Sequence, residues 1–158
     1  MGQPMIRPAT IADRTRAIEL LRDSRSGAGF DRPDGISGFT FPFDPAYAAR
    51  LFVHHISTPN AVCFVHDVDG TAQGILMGVA FDHPYGPVRV SKDSMWWIDP
   101  AHRGGTAAVR MLDAFEAWAR KRGCSFGGIA GMGDDPIVTK LLERRGYRAA
   151  EVHFLKAI

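Results

Sequence analysis

The run from Val88 to Arg122 constrains this chain more than any other part of it. Val88 to Asp99 reads as a strand that stops at Pro100. Arg103-Gly104-Gly105-Thr106 then turns the chain into its strongest helix, Gly105 to Arg122. Ala108, Met111, Leu112, Phe115 and Trp118 recur on one face of that helix, with Arg110, Asp113 and Glu116 outside the stripe. A strand-to-helix glycine turn leaves the first helical N–H groups pointing outward, and the helix dipole adds roughly half a positive charge there. A diphosphate suits that position: Gly104 and Gly105 let it approach the backbone, and Arg103 can add charge-assisted hydrogen bonds. Two glycines also serve simply to turn a chain, so the surroundings must decide.

On either side of this run, helical and strand patterns alternate. Met5 to Arg7 is a short strand, and Thr10 with Asp13 caps a helix that runs to about Asp23. Ser24 to Phe43, with four glycines and two prolines, is too long for a mere connector. Its Phe30, Phe39, Phe41 and Phe43 could line an acceptor pocket or pack the loop onto the core. Asp44-Pro45 opens a second helix ending near Ser57. Ala61 to Asp67 and Thr71 to Asp82 form a hairpin turning at Asp69-Gly70. After the long helix come a strand at Ser125 to Ala130, a helix at Asp135 to Arg145 and a last strand at Ala150 to Leu155. Glu116 can pair with Arg120 one turn on.

The 158 residues, 46% apolar and 23% charged, fit one soluble globular domain spanning 1–158. No apolar run approaches the ~20 residues that cross a bilayer, and Met1 to Thr10 lacks a signal core, so no membrane partner and a cytoplasmic location are expected. Cys63 and Cys124 read as reduced and buried, with no disulfide framework and no metal site. A net charge of +2 argues against nucleic acid. The charge is uneven, however. Residues 1–100 hold nine Lys and Arg against eleven Asp and Glu, and residues 101–158 hold ten against six, so the second part could host an anion.

The segment Met95 to Arg110, with the closing Leu141-Leu-Glu-Arg-Arg-Gly-Tyr147, resembles the GNAT superfamily of acyl-CoA-dependent N-acyltransferases. The superfamily's signature is Arg/Gln-x-x-Gly-x-Gly/Ala after a strand that ends near a proline. Counted from Arg103, Ala108 fits and Thr106 replaces a glycine; counted from His102, Gly105 and Ala107 fit and the arginine is lost. The resemblance implies an α/β (α+β) fold: a mixed, mostly antiparallel twisted sheet flanked by about four helices. It also implies acetyl-CoA as co-substrate, with Arg103, Gly104, Gly105, Thr106, Ala107 and Ala108 cradling its pyrophosphate and Trp97, Ile98 and Asp99 touching the pantetheine arm. The acceptor is a small-molecule or protein amine, with a homodimer left open.

Many members carry a tyrosine in the last helix that protonates the leaving thiolate; Leu142 stands there here, with Tyr147 and Tyr85 as substitutes. The base expected on the strand before the signature is Asp93, ahead of Asp82 and Glu151. Simple alternation puts Asp93, Met95, Trp97 and Asp99 on one side of the strand and Ser94, Trp96 and Ile98 on the other. The remaining histidines, His54-His55 included, read as structural or surface residues. Two rivals stay open: a non-catalytic CoA-binding or regulatory module, and a phosphate- or nucleotide-binding α/β protein without acyl chemistry.

Overall fold

The computed structural model describes residues 2–35, 38–130 and 136–158. Its sheet has five strands in sequence order: β1 (Met5–Pro8), β2 (Ala61–Val68), β3 (Thr71–Asp82), β4 (Arg89–Ile98) and β5 (Phe126–Gly128). The first four pair antiparallel and β5 joins β4 in parallel. The helices are α1 (Arg14–Gly27), α2 (Pro45–Ser57), α3 (Ala107–Lys121) and α4 (Pro136–Arg144). The mixed, mostly antiparallel sheet with four helices is the architecture expected.

Alternation along β2 and β3 divides the core between the two sheet faces. Cys63, Val65, Ile75 and Met77 pack against Leu20 and Leu21 of α1 and Phe52 of α2. Phe64, Leu76 and Ala80 pack against Met111, Phe115 and Trp118 of α3. The α3 stripe is thus buried as its spacing requires, with Ala107 and Ala119 at its flanks. The β2–β3 hairpin turns at Asp69 (φ 50°) and Gly70 (φ 81°), both left-handed as a tight hairpin demands. The Glu116–Arg120 pair forms at 3.4 Å. Cys63 is buried, and burial pushes its thiol up, whereas Cys124 is only half-buried; both are free thiols.

Two boundaries depart from the sequence reading and a third is not among the described residues. First, α1 continues past Asp23 to Gly27, because Ser24 is buried on the same side as Leu20 and Leu21 and its hydroxyl donates to the Leu21 carbonyl at 2.8 Å. Second, Ala150 to Leu155 forms no strand, and Val152 and Phe154 are largely exposed. The edge it would extend, β5, is three residues long and two of them are glycines, so few ladder bonds and side-chain contacts exist to offset the ordering entropy. Third, the cap expected at Asp135 lies outside the described residues.

Arg7 ties the start of the chain to the hairpin. Its guanidinium donates to both carboxylate oxygens of buried Asp13, at 2.8 and 2.9 Å, and to Asp67 at 2.7 Å. Asp13 also accepts the Thr10 N–H, and Asp67 the Gly70 N–H. The Arg7 hydrogen bond holds the Asp13 carboxyl below the usual range. A depressed carboxylate adds stability above its unfolded value of ~3.9 and loses it as pH falls through the folded value. Asp13→Asn should therefore cost roughly 2–3 kcal/mol in denaturant unfolding at pH ~7, and its difference from wild type should begin to shrink only as pH falls below ~4 toward the depressed folded value.

Candidate active site

A cavity of about 1100 Å³ opens where β4 and β5 part. The parallel ladder runs from Val90–Phe126 to Lys92–Gly128, and beyond it the edge of β4 from Asp93 to Ile98 has no paired strand among the described residues. That edge forms one wall. The end of α1, the start of α3 and one side of α4 form the others, including Ser24, Gly27, Ala108, Val138 and Leu141. Among the described residues, Arg103, Lys140 and Arg144 stand on the lining with one acidic side chain, Asp93, a balance that favours an anion.

At its α3 end lies the glycine turn. Asp99 caps the single 3₁₀ turn Pro100–His102 by accepting the Ala101 N–H at 3.0 Å. Gly104 (φ 95°) and Gly105 (φ 61°) then carry the chain into α3. Nothing lies within 4 Å of where their Cβ atoms would stand, so the backbone conformation requires glycine there and crowding does not. Arg103 lies over the Trp97 ring at 4.4 Å and donates from Nε to the Ile98 carbonyl at 2.8 Å. The turn has a second side, a cavity of about 280 Å³ lined by His66, His102, Arg110 and Pro4.

The residues singled out in the sequence divide accordingly. Asp93, Trp97, Ile98, Arg103, Gly104, Gly105 and Ala108 line the large cleft; Thr106 and Ala107 line the small cavity with Arg103, Gly104 and Gly105. Asp99 lines neither. Its carboxylate is engaged by Ala101 and, at 2.9 Å, by Arg16, and the Ala101 N–H chiefly holds it below the usual range. Of the segment Ser24 to Phe43, only Ser24, Gly27 and Ala28 reach the cleft. Phe30 and Phe41 pack edge-to-face at 4.9 Å, and Phe43 lies under Arg22, so these three aromatics hold the loop together. Asp82 and Glu151 are not on the lining. Neither are the tyrosines: Tyr147 donates to Glu116 at 3.0 Å, and Tyr85 sits exposed in a turn. Leu142, where the resemblance leads one to look for a tyrosine, is buried.

Simple alternation fails along β4, and the failure rearranges the site. Pairing passes from Met77–Met95 to Gly78–Asp93, so Ser94 is an extra residue in a β-bulge. Residues paired across a ladder share a face. Met95 and Trp97 therefore lie on the α1/α2 side with Met77 and Ile75, and Asp93 lies on the α3 side with Gly78, whose absent Cβ would strike Phe115. Asp93 does not share a face with Trp97. Its carboxylate accepts the Ala130 N–H at 2.7 Å, and burial pushes it above the ordinary carboxyl range.

Sequence patterns gave no sign of several cleft residues. Lys140 and Arg144 lie on α4 and reach the cleft only through the way that helix packs. Ser94 and His55, separated by 39 positions, are joined by a 3.0 Å hydrogen bond that depends on the bulge. Gly27 lies against Trp97; a Cβ there would come 2.1 Å from Cη2 of the indole.

The sequence pattern of the acetyltransferase (GNAT) family matches residues 30–147, about three quarters of the chain. The chain belongs to this family. Among curated proteins, none matches it in sequence. Solved structures share its fold at low identity. A ribosomal-protein-alanine N-acetyltransferase from Brucella melitensis is 18% identical, with 99% of each chain covered and a TM-score of 0.72. An acetyltransferase from Clostridium acetobutylicum, solved with acetyl-CoA, is 14% identical over 99% of this chain and 96% of its own, at 0.75. An aminoglycoside 6'-N-acetyltransferase from Acinetobacter haemolyticus is 18% identical over 98% and 99%, at 0.70.

The contact between Gly27 and Trp97 makes the cleft wall intolerant of added volume. Gly27→Ala should cost about 1–3 kcal/mol by displacing the indole. In a double-mutant cycle Trp97→Leu should recover at least about 1 kcal/mol of that loss, measured by denaturant unfolding.

Proposed function

We propose that this chain transfers an acetyl group from acetyl-CoA directly to a primary amine. The observation that carries the reading is the meeting, in one cleft, of an unpaired strand edge with a left-handed glycine turn at the start of α3. The turn's N–H groups and the helix dipole suit the pyrophosphate. The edge of β4 offers unpaired backbone groups to the amides of a pantetheine arm, alongside Trp97, whose buried indole N–H has no partner within the protein. Arg103, Lys140 and Arg144 add the positive charge that a polyanion needs.

Asp93 is the acidic group on the lining, and in this reading it attracts the ammonium of the acceptor. One of its oxygens is engaged by Ala130, so holding the amine suits it better than carrying the proton away alone. The amine must still lose a proton to become a nucleophile, since an alkyl ammonium titrates near ~10. A strand N–H near Trp97 would stabilise the oxyanion of the tetrahedral intermediate. The absence of a tyrosine from the lining supports a second reading, a module that binds CoA without transfer. Thiol release from acetyl-CoA with a panel of amines separates the two.

Position 105 tests the binding half. At φ 61° both Asn and Asp tolerate the backbone, with a shared strain of about 1 kcal/mol, and they differ chiefly in charge. Calorimetry with acetyl-CoA should find Gly105→Asn within a few-fold of wild type and Gly105→Asp weakened by at least about tenfold. Equal affinities in the two folded variants would remove the pyrophosphate from this turn.

A further inference from the structure

On the α1/α2 side of the cleft the bulge in β4 presents Ser94, an exposed residue on the cavity lining. Its hydroxyl lies 3.0 Å from Nε2 of His55, a side chain only 3% exposed. The other ring nitrogen, Nδ1, is 2.9 Å from the Leu51 carbonyl, one helical turn back. A carbonyl oxygen only accepts, so Nδ1 carries the hydrogen, and in the neutral ring Nε2 keeps its lone pair for the Ser94 O–H. A hydroxyl open to a cleft, bonded to an imidazole that a third group orients, is the arrangement by which proteins activate serine. A serine that merely satisfied a buried histidine would not need to stand on the lining of this cleft.

We propose that Ser94 and His55 form the proton relay of the transfer reaction, a step that rests on the acetyl-transfer reading above. The ammonium first releases one proton to solvent, and as the neutral amine nitrogen then attacks the thioester carbon the N–C bond forms. The amine's proton passes to Ser94 Oγ while the serine's own proton moves to His55 Nε2. When the intermediate collapses, the C–S bond breaks and the thiolate takes the proton back by the same path, leaving CoA thiol, an amide and a neutral couple. No further reagent is consumed. The relay supplies the protonation that a tyrosine at position 142 would otherwise provide, and it accepts the proton that Asp93, engaged by Ala130, does not carry away. Ser94 lies four residues from Ile98, about 13 Å along the strand at ~3.3 Å per residue, which puts the couple toward the acceptor end and away from the glycine turn.

Burial, with the charge of His54 on the same helix, lowers the His55 value below the ordinary imidazole range, and the hydrogen bond to Leu51 opposes this. Of the titratable groups around the ring, His54 is the one whose charge acts on it. His55 is therefore neutral and able to accept a proton at neutral pH.

The test needs no known acceptor. The full chain is treated with phenylmethanesulfonyl fluoride over a range of pH, and modified peptides are mapped by mass spectrometry, for wild type, His55→Gln and Ser94→Ala. Calorimetry with acetyl-CoA runs on the same proteins. The relay predicts sulfonylation at Ser94, with a rate that holds at neutral pH and falls only below pH ~6.5 as His55 protonates. His55→Gln should slow it by at least about 100-fold, with acetyl-CoA affinity unchanged. Should His55→Gln not fold, the wild-type pH profile and the loss of the label in Ser94→Ala carry the test. An unlabelled Ser94 in folded wild type, or a rate that does not fall from pH ~6.5 down to the lowest pH at which the protein stays folded, overturns the relay. So does an acetylated Ser94 after incubation with acetyl-CoA alone, since that outcome means covalent transfer. Loss of acetyl-CoA binding in wild type would defeat the acetyl-transfer reading instead, and the labelling result would still show whether the couple is activated.

Discussion

The cleft exists because β5 stays with β4 for three residues and then leaves it. At the point of departure the Asp93 carboxylate takes the Ala130 N–H at 2.7 Å, so one side chain of β4 satisfies backbone that the ladder has released. The bond gives that N–H a partner at the point where the two strands separate. The unpaired edge of β4, the access to the glycine turn and the exposure of Ser94 all follow from the divergence. The β-bulge one residue further on completes it by setting Ser94 on the α1/α2 side with Met95 and Trp97 and leaving Asp93 on the other.

Much of the frame was legible in the sequence because it rests on local chemistry. The α3 stripe, the Asp69-Gly70 turn, the Asp44-Pro45 cap and the glycine turn each need only a few neighbouring residues, and each forms where its residues stand. What could not be read depends on pairing between distant segments. The bulge is a mismatch between β3 and β4, invisible to a strict two-residue alternation, and it moved Asp93 away from the face of Trp97. The length of α1 was set by the burial of Ser24, a tertiary effect that no cap announces. Asp99 kept the strand-end place assigned to it but is engaged in capping and in an ion pair with Arg16.

Charge and packing share the cleft between them. Its cations come from two separate elements, Arg103 in the glycine turn and Lys140 with Arg144 on α4, and the basic surplus in the later part of the chain hinted at them only in bulk. Arg103 shows how closely the two are joined, since its guanidinium lies on Trp97, whose ring in turn fills the space left by Gly27. Binding charge and wall shape therefore cannot be altered independently at this corner, and substitutions there must be read against a stability control. The proton chemistry stands apart, on the α1/α2 side, where a helix carbonyl fixes a histidine tautomer and the bulge brings a serine to it.

The central claim is that acetyl-CoA lies along the free edge of β4 with its pyrophosphate at the start of α3. Titrating acetyl-CoA into isotope-labelled protein and following amide and indole N–H resonances tests it most directly. The account predicts large shifts at Gly104, Gly105, Thr106 and Ile98 and at the Trp97 indole, with the Asp69-Gly70 turn unmoved. Saturating acetyl-CoA that leaves the Gly104 and Gly105 amides and the Trp97 indole in place would contradict it.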